Sequence, residues 1–139
     1  MSPPARQRGF SLLEALVDLL LLSVGLLGIA GLQLRSLQGA HSSIQRSLAD
    51  LAAQDARELL WASMTALDGE CPPDAAQSLR SHQWHQHWAP FLPGLADADQ
   101  SIEPAEDCAF KISIRWQDER FSDPSVFDYW VKLPARDHL

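Results

Sequence analysis

Two carboxylates, Glu14 and Asp18, stand four residues apart inside an otherwise apolar run, where a charge most demands a chemical explanation. On a helix that spacing places both on one face, one turn apart. At bilayer depth a carboxylate costs on the order of 3 kcal/mol unless it is paired, protonated or turned toward other protein. Such a residue serves assembly more naturally than hydrolysis, because no nucleophile with a base beside it accompanies the pair. The plainer reading places Glu14 close to the cytoplasmic interface, where the cost is small; for Asp18 that reading is equally open.

The other candidates are weaker. His82, His85 and His87 cluster with Trp84 and Trp88, but on a helix only His82 and His85 are neighbours, and no carboxylate or cysteine supports them at a ligand-like offset. The acids Asp97, Asp99, Glu103, Glu106 and Asp107 are too irregular for a calcium loop. The chain has no glycine-rich phosphate loop and no GxSxG elbow, so we expect no enzyme activity, no metal and no cofactor. A net charge of −7, without a run of five like charges, argues against nucleic acid as a partner.

The elements that must position these groups begin with residues 10–34, FSLLEALVDLLLLSVGLLGIAGLQL. A helix of that length, rising about 1.5 Å per residue, crosses the roughly 30 Å apolar core of a bilayer. Arg6 and Arg8 precede it and the next cation is Arg35, so the N-terminus reads as cytoplasmic. Gly28-Ile29-Ala30 loosely imitates a secretory cleavage site, but two acids inside the run do not suit a signal peptide.

The stretch Gly9-Phe10-Ser11-Leu12-Leu13-Glu14-Ala15-Leu16-Val17, behind a short basic leader, resembles the start of type IV pilins and the related pseudopilins. The resemblance implies that a membrane prepilin peptidase cuts between Gly9 and Phe10 and that the new amine of Phe10 is methylated. It also implies that Glu14 pairs with a neighbouring subunit's terminal ammonium and sets axial register in a filament. Removing residues 1–9 takes away two arginines and leaves a formal charge of −9. Leu22 to Gln33, with Gly25, Gly28 and Gly31 recurring every third residue, is most similar to minor pilins of the PilV type, the type IV pilus modification proteins. Those glycines suit either close helix packing or local extension of the helix. The proline usual here in major pilins is absent.

The resemblance therefore implies an α+β fold: a long N-terminal helix, hydrophobic then amphipathic, packed by a small antiparallel β-sheet head. Residues 1–9 are the leader, 10–34 the transmembrane or filament-core helix, 35–68 its amphipathic continuation and 69–139 a periplasmic head. The partners implied are prepilin peptidase, other minor pilins, the major pilin and the inner-membrane assembly machinery. The protein would sit in the inner membrane, single-pass, before joining a pilus at the cell surface. A pseudopilin of a type II secretion system shares this N-terminal logic, and an unprocessed signal-anchored periplasmic binding domain is the remaining alternative.

The rest of the chain reads from pattern. Leu37, Ile44, Leu48, Leu51, Ala52, Leu59 and Leu60 recur at helical spacing, so the helix is expected to run on to about Met64, before Asp68-Gly69 and Pro72-Pro73. Asp74 caps a second helix running toward Trp88. Cys108, Phe110, Ile112, Ile114 and Trp116 alternate with polar residues, as do Phe127, Tyr129, Val131 and Leu133, giving two antiparallel strands joined by a loop over 117–125. A short strand near 100–103 is a further candidate. Most of the five tryptophans are expected between helix and sheet. Cys71 and Cys108 both lie in the part expected outside the cytoplasm, where a disulfide persists and contributes about 2–4 kcal/mol. Pilin heads like the one implied commonly carry such a staple; a metal site would want closer spacings.

Overall fold

The computed structural model describes residues 1, 9, 11–118 and 121–136. A single helix, α1 (Leu12–Ala66), runs for 55 residues. Three short helices follow, α2 (Ala75–Ser81), α3 (Trp84–Trp88) and α4 (Ala98–Ser101), then strands β1 (Ile102–Pro104), β2 (Ala109–Trp116) and β3 (Ser125–Lys132). The strands form an antiparallel sheet in the order β1-β2-β3. This is the α+β, type IV pilin-like arrangement that the resemblance implies.

By its internal contacts the chain divides into two units, Met1–His41 and Ser42–Leu139. In the first, every described residue is exposed. The second holds the hydrophobic core, in which the rest of α1 presents Gln45, Ala49, Ala52, Ala53, Ala56, Leu60 and Met64 inward. The spacing of four, three, one, three, four and four residues tracks one face of a 3.6-residue period.

That face differs from the leucine-rich stripe picked out by pattern. Ile44 and Leu51, the bulkiest residues of that stripe within the second unit, are 58% and 51% exposed, whereas four alanines are fully buried. The physical reason is distance. Alanine lets the sheet and the short helices close directly onto the α1 backbone, and the larger side chains come from the other side: Leu79, Leu92, Ile112, Ile114 and Leu133, each 0–1% exposed. Each such burial contributes about 1.5–3 kcal/mol.

α1 ends where Asp68 and Gly69 turn left-handed, at φ 56° and 90°, and the Gly69 amide bonds Met64 O at 2.9 Å. A side chain at Gly69 would be strained by that φ and would also meet Arg136 at 3.3 Å. The expected helix from Asp74 toward Trp88 is two helices. Asp74 caps the first by accepting from the Gln77 amide at 2.9 Å, and Gln83, at φ 55°, separates it from α3. Leu79 and Trp84 are five residues apart, about 140° around an unbroken helix, so both enter the core only because the chain turns between them. The strand suspected near 100–103 begins at Ile102, its first half being the single turn of α4.

Three tryptophans fasten the second half of α1. Trp84 Nε1 donates to Ala52 O at 3.0 Å, Trp88 Nε1 to Asp55 Oδ2 at 2.8 Å and Trp116 Nε1 to Gln45 Oε1 at 3.2 Å. Trp61 and Trp130 depart from the expectation, being 38% and 64% exposed. On the outer face of the sheet, Ser113 donates to Asp128 at 2.7 Å; with Lys111 also near, this bond holds the Asp128 carboxyl below the usual carboxylate range.

Cys71 and Cys108 are joined, with Cα atoms 5.7 Å apart across a separation of 37 residues. The bond ties the segment after α1 to the residue before β2. Replacing both cysteines with serine is expected to lower the unfolding free energy of the detergent-solubilised chain by about 2–4 kcal/mol. Denaturant unfolding followed by tryptophan fluorescence checks this, and an unchanged midpoint would mean that the head does not depend on the bond.

Candidate functional site

The residues picked out by chemistry open α1. Ser11 caps the helix: its Oγ accepts from the Glu14 amide at 3.2 Å and its carbonyl from the Ala15 amide at 3.2 Å. Glu14 is thereby the third residue of the first turn, where the helix macrodipole favours a negative charge. Ser-Leu-Leu-Glu is the sequence signature of a capping box. Reading the motif only as a processing signal passed over it, although both residues were in view.

Gly9 is exposed, and a Cβ built on it meets nothing within 4 Å. Nothing in this chain's own described packing demands glycine there. The same holds for Gly25, Gly28 and Gly31 along the apolar helix. Phe10, the residue expected to carry the new terminus and its methyl group, lies outside the described residues. Asp18 is exposed one turn beyond Glu14.

α1 is long and apolar enough to cross a membrane, and none of its most apolar window is buried within the chain. From 12 to 34, Glu14 and Asp18 are the charged side chains. The arrangement can present a capped helix start, an acid in its first turn, a second acid beneath it and about five turns of uninterrupted apolar surface. It can insert, and it can pair with a cation brought by another molecule. No feature of it performs bond-breaking chemistry.

The structure assigns the histidines to separate duties. His82 closes α2, its Nδ1 2.9 Å from Ser78 O, whereas His85 Nε2 lies 2.9 Å from Leu95 O and 3.6 Å from Asp97. His87 packs edge-on against Trp88, with ring centroids 5.2 Å apart. Among the described residues, no three His, Cys, Asp or Glu side chains come together as a metal ion needs. The irregular acids are likewise spread: Asp99 pairs with Arg80, Asp97 lies near His85, and Asp107 is 3.5 Å from Lys132. The Asp99 hydrogen bond is the main reason the Arg80 guanidinium is held even more firmly protonated than usual.

Residues 4–30 match the model of the prokaryotic N-terminal methylation motif. The matched stretch includes Gly9, Phe10, Ser11, Glu14 and Asp18, and supports a prepilin-like protein that is processed by prepilin peptidase and associates with the membrane. Comparison with curated proteins and with solved structures gives no match.

Proposed function

We propose that this chain is a minor pilin of a type IV pilus, of the PilV type. It is inserted in the inner membrane with its N-terminus cytoplasmic, is cut between Gly9 and Phe10, and then joins or primes the filament with other minor pilins and the major pilin. The single observation that carries the proposal is the methylation-motif match over residues 4–30, lying across the start of a 55-residue helix whose first unit is wholly exposed. An apolar helix that its own chain leaves uncovered needs another environment. The bilayer supplies one before assembly, and neighbouring helices supply one after it.

Within this reading, residues 1–9 are the leader, 10–34 the anchor and later filament core, 35–68 the extension and 69–139 the periplasmic head. Glu14 is the register residue, with its backbone fixed by Ser11 and its side chain free to meet a neighbour's terminal ammonium. The pseudopilin reading differs in the machinery rather than in this chemistry.

Mass spectrometry of the membrane-extracted protein tests the proposal. The expected species begins at Phe10 and carries one additional methyl group; co-expression with an inactive peptidase should leave residues 1–9 attached. A mature chain beginning at Met1, or cut after Ala30, would sink the pilin reading.

A further inference from the structure

The sheet stops one strand short of its own core. β3 is an edge strand, and its inward residues Phe127 and Tyr129 are half-buried, whereas their partners on β2, Ile114 and Ile112, are fully buried. Beside them on α1, Arg57 Nη1 donates to the Tyr129 hydroxyl at 3.2 Å, and Trp61, one turn further, is 38% exposed.

The backbone of that edge can be assigned. Leu133 donates its amide to Cys108 O at 3.0 Å, which makes residues 133 and 108 a hydrogen-bonded pair in the β2–β3 register. Successive residues of an antiparallel strand turn their N–H and C=O groups alternately to either side. Residues 127, 129, 131 and 133 therefore face β2. Val126, Asp128, Trp130 and Lys132 direct theirs away from the sheet, and all four side chains are exposed on its outer face.

We propose that β3 receives an extended segment of a partner protein as a fourth, antiparallel strand. Its inward side chains are apolar and cover Phe127 and Tyr129. Its outward side chains place an acid opposite Lys132, an aromatic or β-branched residue opposite Trp130, and a base opposite Asp128. The charge order selects the occupant, because a bare edge would accept any strand and edge charges ordinarily deter pairing. Here they deter every segment except one of opposite order. Two copies of this chain do not fit the site. Antiparallel β3–β3 pairing needs a twofold axis normal to the sheet, which would point the two α1 helices in opposite directions, and chains anchored in one membrane cannot adopt that. This last step rests on the membrane reading above; the edge itself does not.

The test uses the full chain in detergent and labelled peptides, followed by fluorescence anisotropy. The first peptide is acetyl-Glu-Val-Tyr-Val-Lys-Ile-Thr-amide. The second exchanges its Glu and Lys, and the third carries N-methyl groups on Tyr and Lys, whose amides face β3 in the proposed register. The first is expected to bind at least about tenfold more tightly than the second, a difference of about 1.4 kcal/mol, and the third not to bind. Lys132→Glu, at a site with its side chain 68% exposed, should remove the preference for the first peptide while leaving the thermal unfolding midpoint unchanged. Equal affinity for all three peptides, or no binding of the first, overturns the proposal. Self-association of the full chain that Lys132→Glu abolishes, without peptide binding, would give the edge to a second copy and overturn it too.

Discussion

Trp84→Ala is expected to lower the stability of the second unit by about 3–5 kcal/mol, the usual range for removing a large buried aromatic side chain. Trp84 is 1% exposed, the largest of the fully buried side chains, and its indole N–H is the bond that ties α3 to Ala52 O. Truncation would open a cavity against an alanine-lined helix face, which has no long side chains to collapse into the space. Total stabilities of ordinary domains are only about 5–15 kcal/mol, so the loss is a large share. For a unit near 100 residues it corresponds to a fall in the unfolding midpoint of more than about 12 °C. Trp84→Phe keeps much of the apolar bulk and removes the N–H donor, and should cost distinctly less, about 1–2 kcal/mol. Thermal unfolding of the solubilised chain, followed by circular dichroism, checks both. An alanine variant within about 1 kcal/mol of the parent would mean that α3 is not an integral part of the core.

The second large effect is functional. Glu14→Ala should insert in the membrane normally and be cleaved, yet be depleted in filaments sheared from the cell. Removing one partner of a buried, hydrogen-bonded ion pair costs about 3–5 kcal/mol, which is a hundredfold or more in the affinity of one subunit for the next. The local structure separates this effect from simple helix loss. Ser11 accepts from the Glu14 backbone amide, and that bond does not need the carboxylate. Ser11→Ala, which removes the cap itself, should cost only about 1 kcal/mol of helix stability and leave incorporation nearly intact. Glu14→Gln should fail like the alanine variant, because it keeps the side-chain length and loses the charge. Immunoblotting of membrane and sheared fractions for all three variants is the measurement. Normal incorporation of Glu14→Ala would show its charge to be dispensable and leave Asp18 as the acid to examine.

Local signals in this chain were read well, and non-local ones were not. The alternation through Phe110, Ile112, Ile114 and Trp116 identified β2 and its buried face, since a strand's period of two is written in neighbouring residues. Asp74 marked the start of α2 for the same reason. Gln83 gave no comparable warning. It is neither glycine nor asparagine, and it adopts a left-handed conformation because Leu79 and Trp84 both have to reach the core. The alanine face of α1 was also hidden, because alanine carries little apolar weight in a pattern and acquires importance only when something packs against it. The Ser11 cap lay in plain view, overshadowed by a second meaning of the same four residues.

What the sequence determined by itself is the N-terminal chemistry. The run of apolar residues, the two acids within it and the glycine before it are neighbours in the chain, and their consequences for insertion and processing depend on local order alone. What only the tertiary structure decided is which side of α1 is covered and which edge of the sheet is left open. Both follow from close packing between segments distant in sequence: Trp116 reaches Gln45 and Arg57 reaches Tyr129 across roughly half of the chain. Burial is a property of the surfaces that meet, and no single stretch of sequence contains both of them.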